Sequence, residues 1–425
     1  MKKTRENILA VTSFPPRGKT HADQVVGIAS YAKSTFRALG KAIDTKKRLS
    51  FEILAEKLPG ETDYKKGNIH VKRVWERNSF GAFMNLGREI FKNYKNTKTV
   101  VIEFELSMFG GIIYLLFFPL FLGFLKLLDK KIIFVCHQVI PDMRELAPHI
   151  NLANESFKTD IMSFMLKIFY RYVLLLSSKV IVFEEGFRNR LSKFGNPQKI
   201  VVIPHGVEKF KNVPDKIKAR KKLGIPASAF VILSFGFIAW YKGTDWLVHT
   251  IEELKEKQGL KARDLQLILA GGPNPNHEDK EYYQKYFKGI TKECRREGFT
   301  LTGFVPENLI PTYFKAADLI VLPYRTFMSS SGPLSITFSF DKPFLLSPKL
   351  GALLDSKDLK ALLSRLKIKE NELVFQNSNG DFAKKVNKLR RSSGLRTKLA
   401  RFSREARKMR SWDIIGRKYY EAIVN

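Results

Sequence analysis

The sequence predicts an α/β protein of two doubly wound domains facing a cleft, and three observations lead there. Its 425 residues are enough for two domains. Short β-branched runs alternate with longer helix-like stretches, as in parallel βαβ units. After a charged stretch around residues 208–226 that alternation starts again, so a boundary near residue 210 separates two similar halves.

The expected strands follow in order. The first half offers NILAVT (7–12), TVVIEFE (99–105), KIIFVCH (131–137), KVIVFEE (179–185) and KIVVIPHGV (199–207). The second offers FVILSFG (230–236), LQLILAGG (265–272), DLIVLPY (318–324) and PFLLS (343–347). The domains are read as residues 1–209 and 210–408, with 409–425 as a helix returning to the first. Ligands of doubly wound sheets gather at strand carboxyl ends, so the cleft between the halves is the expected site.

Composition sets further limits. With 44% hydrophobic and 27% charged residues the chain is neither disordered nor collagen-like. Its two cysteines, Cys136 and Cys294, form no close-spaced motif, so neither a zinc site nor a disulfide framework is expected and a reducing compartment is. The basic start MKKTRENILAVTSFPP has too short an apolar run for a signal peptide and reads as the first strand. Residues 106–125 hold twenty uncharged positions, open to three readings: a packed helix, a helix in a headgroup layer, or a membrane span. The aromatic, basic stretch IMSFMLKIFYRYVLLL from Ile161 fits the second.

The informative residues lie at strand ends. Gly27 opens a helix after the first strand, where backbone amides and the helix dipole favour an anion. Lys242 and Gly243 follow a strand of the second half, and a lysine there can neutralise a phosphate. The Ser-Ser-Ser-Gly-Pro-Leu-Ser turn at 329–335 leads into another helix as a nest for a diphosphate. Each has a bland alternative: a common helix-start glycine, a solvated lysine, a plain turn.

In this order the pieces resemble the retaining nucleotide-sugar glycosyltransferases of the group 1 type, with the GT-B fold of two Rossmann-like domains. The resemblance runs over nearly the whole chain: FPP with GIASYAKSTFRAL, FELSMFGG, VCHQVIPD and VVIPHGV in the first half, then FGFIAWYKG, LILAGGP, LTGFVPENLIPTYFKAADLIVLPY, SSGPLS and RSWDIIGRKYYEAI. It implies that Gly27 and Lys242 meet the donor diphosphate, with amides around Gly332, Pro333 and Leu334 on its other side. Backbone near Phe304 and Val305 would receive the nucleobase. His137 would stand beside the transferred sugar, and Glu105 would line the same cleft. No metal and no cofactor are implied, because lysine, helix termini and turn amides can stabilise the departing diphosphate.

Two departures stand out. The family's two glutamates, eight positions apart, fall on Met328 and Ile336, and its arginine falls on Phe237 or Ala239. Ser330, Ser331 and Ser335 become the alternative hydroxyl contacts. A catalytically inactive nucleotide-sugar-binding relative therefore stays open beside the enzyme.

The charge balance, 74 basic against 41 acidic residues or +33, calls for an anionic partner. Twelve basic residues against Glu405 alone fall between Lys384 and Arg410, and Lys216, Lys218, Arg220, Lys221 and Lys222 form a second cluster. Nucleic acid is the rival partner, but no nucleic-acid-binding motif accompanies the charge. The expectation is a cytoplasmic protein, peripheral on the inner face of an anionic membrane, taking a UDP- or GDP-sugar and a glycan or lipid-linked acceptor.

Overall fold

The computed structural model describes residues 6–20, 27–42, 49–147, 156–275, 277–376 and 378–424. The first domain runs β1 (Glu6–Val11), α1 (Gly27–Ala42), β2 (Leu49–Glu56), β3 (Tyr64–Lys66), β4 (Ile69–Trp75), α2 (Ala82–Lys92), β5 (Thr97–Phe104), α3 (Phe118–Leu127), β6 (Lys131–Cys136), α4 (Phe157–Leu176), β7 (Lys179–Val182), α5 (Glu185–Leu191) and β8 (Ile200–Val202). These strands form one sheet in the order β3-β4-β2-β1-β5-β6-β7-β8, parallel except for β3 against β4. β2, β3 and β4 were not among the expected strands.

Both faces of this sheet are covered, which is why the middles of β1, β5 and β6 are apolar runs, with Glu103 of β5 as the buried exception. Alternation along the strands still sorts the side chains. Val100, Ile102, Ile132 and Phe134 pack under α2, α3 and α4 on one face. Val101, Ile133 and Val135 pack under α1 on the other.

The second domain runs α6 (Lys216–Lys222), β9 (Phe230–Phe235), α7 (Thr244–Gln258), β10 (Leu265–Ala270), α8 (Glu281–Glu297), β11 (Thr300–Leu301), α9 (Ile310–Ala316), β12 (Leu319–Leu322), α10 (Gly332–Ser339), β13 (Phe344–Leu346), α11 (Pro348–Gly351), α12 (Lys357–Arg365), α13 (Asn379–Arg391) and α14 (Ser393–Met409). Its five strands are all parallel, in the order β11-β10-β9-β12-β13. Then α15 (Trp412–Val424) crosses back, burying Ile415, Tyr419 and Ile423 in the core of the first domain. It packs so closely on α1 that a Cβ at Gly416 would meet the Ala38 carbonyl oxygen at 2.8 Å.

Strand order reverses at β1/β5 in one sheet and at β9/β12 in the other. The loops leaving such a pair turn to opposite faces and open a crevice. In this chain those loops carry Gly27 and Glu105, then Lys242 and Gly332. The fold thus brings together four residues spread over three hundred positions.

Two expectations need correction. Residues 106–125 do not form one helix: a 3-10 turn at Ile112–Phe117 leads into the ten-residue α3, with Pro119 in its first turn. No helix among the described residues is long and apolar enough to cross a membrane, which removes the span reading. The basic clusters are also partly structural. Arg410 is buried and grips Asp358 at 2.7 Å, Arg407 bridges to Asp341 at 3.2 Å, Lys398 meets Glu372 at 3.0 Å, and Lys216 and Arg220 converge on Asp318.

Candidate active site

A cavity of about 330 Å³ opens between the domains. Every site residue expected from the sequence except Leu334 lines it. Leu334, between the lining Pro333 and Ser335, is buried in the core instead.

On the second domain, Lys242 ends a 3-10 turn, Trp240–Lys242, after β9. The turn stops at Gly243, whose φ of +67° suits glycine, and an added Cβ there would lie 2.1 Å from the Pro323 carbonyl oxygen. Arg325 fixes the same turn from the β12 loop. Its guanidinium binds Asp245 bidentately at 2.7 Å and donates to the Trp240 carbonyl at 2.7 Å. Lys242 itself has no carboxylate partner among the described residues, and burial brings its ammonium down to about 8. A desolvated, unpaired cation is stabilised by any anion that enters.

The serine turn is more committed than its sequence suggests. Ser331 caps α10 by accepting from the Leu334 N–H at 3.2 Å, and the Ser335 N–H closes onto the Ser331 carbonyl. Pro333 has no N–H, so of the three expected amides only Gly332 remains to face a ligand. Ser330 donates to Glu184 at 2.9 Å and Ser335 to the Gly206 carbonyl at 2.6 Å, so both hydroxyls tie the two domains together. Met328 also serves this contact: its carbonyl accepts from the Val139 N–H, and Gln138 pairs with Ser329 as an antiparallel bridge. Ile336 lines the cavity as an apolar surface.

The part of the cavity expected to receive the nucleobase is built by close backbone approach. Gly272 lies so near the 303–304 turn that a Cβ would meet the Phe304 nitrogen at 2.8 Å. Phe304 is partly exposed there, while Val305 is buried.

On the first domain, four successive strands end in ionisable residues. After β5, Glu105 accepts from Gln138 at 3.2 Å and from Ser107 at 3.3 Å, and burial raises its carboxyl. After β6, the Nε2 of His137 lies 2.6 Å from Glu103 Oε2, with the ring wedged edge-on against Tyr31 and Phe183. Glu103 is fully buried, and its other oxygen has no partner. With Nε2 engaged by that carboxylate, Nδ1 is the ring nitrogen left for a further hydrogen bond.

After β7, Glu184 is held up to about 7 by burial, against the pull of Arg410. After β8, burial lowers His205 to about 4, and its Nδ1 lies 2.8 Å from the Gly206 carbonyl. Glu103, Glu184, His205 and Arg325 escaped the sequence reading. A signal existed for Glu103: it shares strand parity with Val101, Val135 and His137, so a carboxylate pointing into a core needed a nearby partner.

Residues 229–390 match the family model of Glycosyl transferases group 1. The second domain is a group 1 glycosyltransferase domain. The glycosyltransferase likeness extends to a D-inositol 3-phosphate glycosyltransferase of Corynebacterium efficiens, 30% identical over 134 residues, which are 30% of each chain. The match thus spans under a third of that relative's length. Among solved structures, the sucrose-phosphate synthase of Thermosynechococcus elongatus superposes with a TM-score of 0.71 at 16% identity, covering 98% of both chains. Anabaena HepE in complex with UDP-glucose gives 0.64 at 15%, covering 98% of this chain and 99% of that one. At such identities the likeness is one of fold, and the group 1 glycosyltransferase domain here sits within a GT-B architecture.

Proposed function

We propose that the protein transfers a sugar from a nucleoside-diphosphate donor to an acceptor hydroxyl with retention at the anomeric carbon. The observation that carries this reading is the Lys242 ammonium in the interdomain cavity, without a carboxylate partner among the described residues and flanked by the amino termini of α1 and α10. That is a place for two negative charges. Lys242 and the Gly27 and Gly332 amides hold the diphosphate and stabilise it as it departs, without a metal ion.

His137, oriented by Glu103, accepts a hydroxyl of the transferred sugar at Nδ1, and Glu105 stands on the acceptor side. The departing phosphate oxygen takes the proton of the attacking hydroxyl on the same face of the sugar. Anabaena HepE was crystallised with UDP-glucose, which supports trying UDP-sugars first. The acceptor is a glycan or lipid-linked molecule at the inner face of a membrane.

The test is a panel of UDP-, GDP- and ADP-sugars in thermal shift, followed by nucleoside diphosphate release with and without a chelator. Retention is read from the anomeric configuration of the product. A panel in which no donor raises the melting temperature sinks the reading. A second reading has its own observation: Met328 and Ile336 are apolar where family members carry glutamates. Donor binding without transfer to any acceptor, and without hydrolysis, would establish an inactive nucleotide-sugar-binding relative.

A further inference from the structure

Among the described residues seventeen large apolar side chains are exposed, and fourteen of them fall between Phe80 and Leu175. They belong to α2, α3, α4 and the turns that enter them, one helical layer on a single face of the first sheet. Ring contacts knit the layer: Phe80 to Phe117 at 5.8 Å, Phe83 to Phe121 at 5.6 Å, Phe118 to Phe169 at 5.6 Å.

The exposed residues have a helical order that the core does not require. On α4, Leu166, Phe169, Tyr170 and Val173 face the sheet. Phe157, Ile161, Phe164, Ile168, Tyr172 and Leu175 recur at offsets 0, 4, 7, 11, 15 and 18, a stripe on the opposite side and exposed along its length. On α3, Leu120 and Leu127 are 71% and 87% exposed, while Phe118, Phe121 and Leu125 are buried. Met84 continues the surface onto α2 at 69%. An apolar surface of this continuity marks an interaction site.

Its rim identifies the occupant. Arg88, Lys92, Lys126, Lys158, Lys167 and Arg171 are exposed on the same three helices, against exposed acids Asp129 and Asp160. Apolar side chains flanked by cations suit a layer whose interior is hydrocarbon and whose surface is anionic. The layer also has the right orientation. Helices that follow parallel strands begin at the strands' carboxyl ends, so Phe80, Ile113 and Phe157 lie at the end of the layer nearest Glu105 and His137.

We propose that the outer face of α2, α3 and α4 docks onto an anionic lipid bilayer, with these apolar side chains among the acyl chains and the six cations at the headgroups. The proposal deepens the membrane-proximal part of the function above, and its test leaves the donor site aside. Full-length protein is mixed with phosphatidylcholine vesicles containing or lacking phosphatidylglycerol and then floated on a density gradient. Partition to the anionic vesicles is expected, at least tenfold weaker to pure phosphatidylcholine. Leu120→Glu and Phe164→Glu should each lower it at least tenfold, and Lys126→Glu with Arg171→Glu should remove the anionic preference. Donor-induced thermal shifts, measured without vesicles, should be unchanged in all these variants, so loss of lipid binding is separable from loss of the donor site. No flotation with anionic vesicles, or flotation indifferent to Leu120→Glu and Phe164→Glu, overturns the proposal. A concentration-dependent dimer in ultracentrifugation that Leu120→Glu abolishes would assign the face to a second copy, and overturns it too.

Discussion

At the residue scale the cleft is defined by buried ionisable groups: Lys242 without a carboxylate partner among the described residues, Glu103 against His137, and Glu184 against Ser330. Lys242→Ala removes a charge-assisted contact of about 1.5–3 kcal/mol, so donor affinity should fall about 10- to 150-fold by calorimetry. Glu103→Gln keeps the shape around His137 but weakens the hold on its ring. Turnover should fall while donor affinity stays within a few-fold, whereas equal losses in both would place His137 in donor binding alone. Glu184 and His205 make opposite demands on pH. The unfolded chain ionises Glu184 near the ordinary glutamate value of 4.5, while the folded protein keeps the proton up to about 7. Its contribution to stability is full below 4.5 and lost as pH rises through 7, on the order of 3 kcal/mol. Glu184→Gln is therefore expected to gain melting temperature over the parent from pH 5 to 7 and then level off. His205 runs the other way: its contribution is full above 6.5 and lost as pH falls toward about 4.

At the scale of elements, the turn that carries Lys242 is a small device held from two sides. Gly243→Ala forces a Cβ against the Pro323 carbonyl and strains a left-handed backbone. A loss of about 1–3 kcal/mol in chemical denaturation is expected, together with weaker donor binding, because Lys242 moves with the turn. What was legible in the sequence follows the same division. Buried parallel strands such as β5, β6, β9 and β12 announce themselves as apolar runs. β2 did not, because Glu52 and Glu56 interrupt it, and their partners Lys72 and Ser13 are found only once the sheet is assembled. The site positions were legible as strand ends, but the commitments of their side chains were not. Whether Ser330 and Ser335 face a ligand or clasp the other domain depends on Glu184 and Gly206, more than a hundred residues away. The basic clusters were misleading for a related reason: Arg220 and Arg410 look like surface charge in one dimension and are core ion pairs in three.

At the scale of the whole molecule, the two domains meet through backbone as well as side chains, with Gln138 against Ser329, and Val207 at the end of the first domain pairs with Ser411 just before α15. α15 is the stronger tie. The Tyr31 and Tyr419 hydroxyls meet at 2.8 Å inside the first domain, and Trp412 packs so tightly on Gly206 that a Cβ there would come within 2.5 Å. Tyr419→Phe leaves one buried hydroxyl short of a partner. A loss of about 1–2 kcal/mol is expected in thermal unfolding, with no change in donor affinity measured well below the melting point.

The position of α15 also sets a schedule. The helix that completes the core of the first domain begins at Trp412, and the last strand of that domain ends at Val202, so 209 residues are synthesised in between. At roughly 5–20 residues per second, the first domain leaves the ribosome with its α15 groove open for about 10–40 s. In that interval α1 and the sheet beneath it present an uncovered apolar channel. The second domain can close its own five-stranded core in the same time. The order of maturation is then the reverse of the order of translation, with the domain made first being finished last.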